Sequence, residues 1–154
     1  MSFEGFHPLN STADLLEKVR HDFSRMQRDP LDSYAAFDFF VTAEHLLDWK
    51  YPDSEGRGAQ RTRSHLRKTV PLLRVTSHLA TGAKHVSPNA ERHDSVQDVR
   101  IEPGAFDPRA FDPVAFDTDR LVVELRADDA SELGPEVWAL DLAEKVLLYW
   151  EANL

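Results

Sequence analysis

The chain has 154 residues, 42% of them apolar and 10% aromatic, and carries a net charge of −9 from 18 basic and 27 acidic side chains. These values fit one globular domain spanning 1–154 and exclude a disordered chain, and the absence of cysteine excludes a disulfide framework, a thiolate zinc site and a cysteine nucleophile. The acidic balance argues against a general nucleic-acid coat protein, and no apolar run approaches the roughly 20 residues a bilayer requires. Residues 1–6 also lack the basic and apolar runs of a signal peptide, so a cytoplasmic protein without membrane contact is expected.

Ser11 to Asp14 opens the first predicted helix, with Ser11 positioned to accept from the free first-turn amides and Asp14 suited to the positive end of the helix dipole. Leu16, Val19, Phe23 and Met26 then recur at helical spacing, and the helix ends near Arg28. Pro30 restarts the chain, and a second helix is predicted from about Leu31 to Lys50, ending before Pro52. One face of it is apolar (Ala35, Ala36, Phe39, Phe40, Ala43, Leu46 and Leu47). The opposite face mixes Asp38, Thr42, Glu44, His45 and Asp48 with Phe37, Val41 and Trp49, enough apolar area to expect a helix, a ligand or another subunit against it.

Residues 51–60 read as a loop, and a third helix is predicted from about Ser64 to Thr81, stopping at Gly82. Pro71 either kinks this helix or marks its true start. Ser87-Pro88-Asn89 is a turn. The alternations Val99/Ile101 and Leu121/Val123/Leu125 predict two strands of a small antiparallel sheet. Between them Ala-Phe-Asp recurs three times at five-residue spacing, at 105–107, 110–112 and 115–117; prolines among the triplets disfavour a repeat solenoid and favour an ordered loop whose phenylalanines tuck back on the body. Residues 136–139 fit either a third strand or the start of a helix, and Asp141 with Glu144 has the capping-box spacing for a last helix from Asp141 to about Ala152. The fold expected is α+β and mainly α: a four-helix bundle with a small antiparallel sheet and a Phe-rich loop inserted at about 95–139, before the last helix.

Charge is unevenly distributed. No acidic residue stands between Glu55 and Glu91, whereas Arg57, Arg61, Arg63, Arg67, Lys68, Arg74 and Lys84 do, with His65, His78 and His85. A positive stretch in an acidic chain is the footprint of an anionic ligand, or of a segment packed on acidic surface of its own molecule or of a second copy. Within it Arg74, His78, Lys84 and His85 form the candidate catalytic set: an imidazole flanked by cations suits metal-independent RNA cleavage, the histidine moving a proton and the cations stabilising charge on the phosphorane. Arg57, Arg61, Arg63, Arg67 and Lys68 are candidate ligand contacts. His45 and Asp48, one helical turn apart, are a further ligand-binding pair able to orient an imidazole or contribute to a divalent-metal site; two groups do not complete such a site, and no cofactor is expected. Phosphate-binding P-loops, dinucleotide fingerprints and serine-nucleophile elbows are absent from the sequence.

The segments 34–49 (YAAFDFFVTAEHLLDW) and 73–85 (LRVTSHLATGAKH), the Ala-Phe-Asp triplets and the closing LAEKVLLYW resemble a family of uncharacterised bacterial and phage proteins whose layout is similar to the HEPN superfamily of helical bundles. That resemblance spans most of the chain and implies a homodimer in a toxin or phage-defence setting, with RNA or a nucleotide as ligand, and for many members RNase activity. The superfamily places four to six residues between its Arg and His. Here three separate Arg74 from His78 and ten separate Arg74 from His85. Two further expectations stand beside an RNA-binding or RNA-cleaving bundle: a non-enzymatic module docking an acidic partner protein, and a metal-binding bundle built around His45 and Asp48.

Overall fold

The computed structural model describes residues 5–84, 95–103 and 119–154. The turn at Ser87–Asn89, the Ala-Phe-Asp segment and His85 lie outside the described residues. Among the described residues six α-helices and three strands follow in the order α1 (Thr12–Arg28), α2 (Ser33–Lys50), α3 (Arg57–Thr69), α4 (Pro71–Lys84), β1 (Val96–Glu102), β2 (Arg120–Leu125), α5 (Ala127–Leu133), β3 (Glu136–Trp138) and α6 (Ala139–Asn153). The strands form one antiparallel sheet ordered β1-β2-β3. The chain is therefore α+β and mainly helical, as its periodicities predict.

Local chemistry explains the helix starts. Ser11 caps α1 reciprocally: its hydroxyl accepts from the Asp14 amide at 3.2 Å, and the Asp14 carboxylate accepts from the Ser11 amide at 3.0 Å. Helix α2 begins two residues later than Pro30 suggests, because the Asp32 carboxylate accepts from the Tyr34 and Ala35 amides and makes Asp32 the cap. The stretch expected to form one helix from Ser64 to Thr81 is two helices separated by Val70, with Pro71 at the first position of α4, where a missing amide costs nothing. Gly82 does not stop α4, which runs on to Lys84. Residues 136–138 are a strand, and α6 begins at Ala139 behind Trp138, so the Asp141–Glu144 spacing is not its cap. Helix α5 was not signalled by any apolar period.

The core gathers the inner stripes of α1, α2 and α6 with Leu73 and Val75 of α4 and the inner sheet face of Leu121, Val123, Leu125 and Val137. Phe39 is fully buried at its centre, its ring 6.2 Å from Phe23 and edge-on to Phe40 at 5.2 Å. A buried carboxylate joins α1 to α2: Asp22 is paired with Lys18 and Arg25, and the Thr42 hydroxyl, which donates to the Asp38 carbonyl at 2.7 Å, lies 3.4 Å from it. No helix among the described residues is long and apolar enough to cross a membrane.

Candidate anion-binding face on the third helix

The acid-free stretch divides by side of helix. At 100° per residue, Ala59, Arg63, Leu66 and Arg67 lie on one side of α3, and Arg57, Arg61, Ser64 and Lys68 lie opposite, with Gln60 and His65 at the two margins. The inner side is held chiefly by charge. Arg67 lies against Glu44 (Nε to Oε1, 2.7 Å) and reaches Asp48 at 3.2 Å. Arg63, its side chain only 11% exposed, is bonded to Asp53 and the Tyr51 carbonyl and lies 3.4 Å from Asp48. Gly56 starts the helix at φ +80°, a left-handed turn that favours glycine, so no capping side chain announces α3 in the sequence.

The outer side is different. Arg57, Arg61, His65 and Lys68 are exposed, and with Gln60 and Ser64 they line an open concavity of about 510 Å³. No hydrogen bond or ion pair involving these four side chains is found among the described residues, and no acidic residue shares the concavity. The four side chains span about 16 Å along the axis, one per helical turn or so. Lys and Arg heads on flexible stems, spaced in that way, suit a ligand carrying several negative charges in a row.

The remaining predicted residues are placed elsewhere. Arg74 is turned to α5, where its Nη2 and Nε approach Oδ1 of Asp129 at 2.6 and 2.8 Å and its third nitrogen bonds the Lys68 carbonyl. Asp129 is 4% exposed and raises the Arg74 pKa further above its ordinary value. His78 is 7% exposed, and its Nδ1 accepts from the backbone amides of Ser95 at 3.1 Å and Val96 at 2.9 Å. An imidazole accepting two amides at one nitrogen fixes the start of β1. Removing it in His78→Ala should cost about 1–3 kcal/mol and deprotect the Ser95 and Val96 amides in hydrogen exchange first; unchanged protection at both would sink that role. Lys84 ends α4, and His85 is outside the described residues, so the four-residue catalytic set is not assembled among the residues described.

His45 and Asp48 do meet at one place. Together with Glu44, Phe37 and Val41 of α2 and Thr81 of α4 they line a cavity of about 300 Å³, which accounts for the mixed second face of α2. No group of three or more His, Asp or Glu side chains able to hold a metal occurs among the described residues. Glu44, which the sequence did not single out, is the perturbed group: burial pushes its pKa from 4.5 up to about 7, against the opposing pull of Arg67. The folded protein therefore keeps a proton that the unfolded chain has already lost. From this group stability is greatest below about pH 4.5 and declines as pH rises to about 7, by up to about 3 kcal/mol. Denaturation at pH 5 and pH 8 should show that decline in the native chain and a flatter profile in Glu44→Gln. An equally steep profile in both would remove Glu44 as its source.

No family model, curated protein or solved structure matches this chain.

Proposed function

We propose that the protein is a non-catalytic RNA-binding module that holds the phosphate backbone on the outer face of α3 through Arg57, Arg61, His65 and Lys68. The observation that carries this reading is the division of the acid-free stretch: Arg63, Arg67 and Arg74 are paired with Asp48, Asp53, Glu44 and Asp129, while the four outer side chains share one acid-free concavity. Binding of this kind is electrostatic and indifferent to sequence, since phosphates position a protein and base edges specify it. Cleavage is left out of the proposal because Arg74 and the Nδ1 of His78 have structural partners. On this reading the chain is an HEPN-like bundle that binds without cutting, and a homodimer would present two such faces to one polymer, raising its avidity.

Fluorescence anisotropy with a labelled 20-nucleotide RNA at low salt tests the reading. The native chain should bind and the doubly reversed Arg57→Glu/Arg61→Glu chain should not, with the RNA recovered uncut. Absence of RNA binding by the native chain, together with salt-sensitive binding of polyglutamate, would overturn it in favour of an acidic protein partner.

A further inference from the structure

Strand β1 is on the outside of the sheet, with β2 on one side of it and no strand on the other among the described residues. Val99 pairs with Val123 and Ile101 with Leu121, so all four side chains share the face that covers the core. Val123 and Leu121 are buried, but Val99 and Ile101 are 44% and 52% exposed. The opposite face of the same strand carries Asp98, Arg100 and Glu102. There Arg100 bonds Glu124 at 2.8 Å and also Glu136, while Asp98 lies 3.9 Å from Arg100 with its side chain 54% exposed. One guanidinium thus serves three carboxylates, and Asp98 has the weakest share; its Oδ1 also accepts from the edge-facing Val99 amide at 2.9 Å, a bond that pairing with another strand would replace.

An exposed edge with an apolar face is a template for another strand, and natural edges are often blunted by charge. In this strand the charges are arranged to fit a copy of themselves. Two antiparallel copies related by a two-fold axis through the sheet keep their apolar faces on the same side only if the axis passes through a residue position. An axis at Arg100 would set Arg100 against Arg100 and Asp98 against Glu102, and an axis at Asp98 would set Asp98 against itself. Like charges directly opposite one another are destabilising. An axis at Ile101 sets each Arg100 against a Glu102 but also sets Val99 against Pro103, which has no amide to donate. An axis at Val99 sets valine against valine and each Asp98 against an Arg100, twice by symmetry.

We propose that β1 is a self-association edge, pairing antiparallel with β1 of a second copy about an axis at Val99, with Asp98 of each chain opposite Arg100 of the other. The proposal rests on the homodimer reading above and is independent of anion binding, because α3 contributes nothing to it. The β-bulge between Val96 and Asp98 limits the regular part of the strand, so the pairing is short and the dimer weak.

Sedimentation velocity of the full chain without RNA, over about 1–500 μM, reads the assembly directly. The native chain should pass from monomer to dimer across that range. Asp98→Lys places a lysine opposite Arg100 and should stay monomeric, and Arg100→Glu places a glutamate opposite Asp98 and should do the same. An equimolar mixture of the two variants restores opposite charges at both contacts and should dimerise as the native chain does. Loss of the bonds that Arg100 makes within its own sheet would not be repaired by mixing, so restoration separates pairing from a structural effect. Should Arg100→Glu fail to fold, Val99→Lys sets two lysines on the axis without touching Arg100 and must abolish the dimer. A native chain monomeric at the top of the range, folded variants that fail to complement, or a Val99→Lys chain that still dimerises would each overturn the proposal. RNA binding retained by monomeric Asp98→Lys would leave the α3 reading intact.

Discussion

Replacing Arg74 with methionine should lower stability by about 3 kcal/mol, a fall in Tm of about 6–12 °C for a domain of this size. The cost does not come from losing an attractive pair. It comes from what remains: Asp129, 4% exposed on α5 and so nearly out of reach of solvent, with the guanidinium nitrogens at 2.6 and 2.8 Å removed. The double variant Arg74→Met/Asp129→Leu should recover most of the loss, because two apolar side chains of similar size leave no buried charge. Thermal and denaturant unfolding of the three proteins checks both statements. A single variant as stable as the native chain would show that the Arg74–Asp129 contact does not hold α5 to α4. A catalytic Arg74 would instead lose activity at unchanged stability.

The second large effect concerns RNA. If the three cations Arg57, Arg61 and Lys68 each displace a condensed counterion from the RNA, the logarithm of the binding constant should fall against the logarithm of salt concentration with a slope of about −2 to −3. Reversing Arg57, Arg61 and Lys68 to glutamate removes three of the contacts and sets like charges against the phosphates. Affinity at low salt should drop by about 100-fold or more, with a residual slope near zero. These side chains are exposed and make no hydrogen bond or ion pair among the described residues, so the melting temperature of the triple variant should stay within a few degrees of native. A triple variant that keeps the native slope would place the RNA somewhere other than α3.

Much of the fold is legible from periodicity because the elements that build the core are apolar on one side. Leu16, Val19, Phe23 and Met26 define α1; Phe39, Ala43, Leu46 and Leu47 define α2; Ala143, Leu147 and Trp150 define α6. Helix α3 hides from the same test. Its inner positions are Arg63 and Arg67, which are polar in sequence and turned inward in the structure by acids on α2 and in the 51–53 turn, so only Ala59 is fully buried. Helix α5 is hidden too, since its anchor is Asp129 and its partner is 55 residues away.

The charge asymmetry was visible as a list of residues, but their division into inward and outward groups was not. That division depends on the phase of α3, which Gly56 sets without a capping side chain. Glu44 was likewise one polar residue among several on α2, and nothing local distinguishes it from His45 or Asp48. Its burial is produced by α3 and α4 closing over it, a tertiary effect that the spacing of residues along one helix does not encode.

The arginine seam beneath α3 also sets how that helix detaches. A helix docked by leucines opens by exposing apolar surface, so its opening carries a large heat capacity and responds strongly to urea. Helix α3 leaves its site by separating Arg63 and Arg67 from Asp48, Asp53 and Glu44, with Ala59 and Leu66 the apolar side chains it uncovers. Its local opening is therefore more sensitive to ionic strength, and less to denaturant, than that of a helix docked by leucines. Salt that screens the outer cations from a polyanion loosens the inner arginines as well. Ionic strength thus acts on the same helix from both sides.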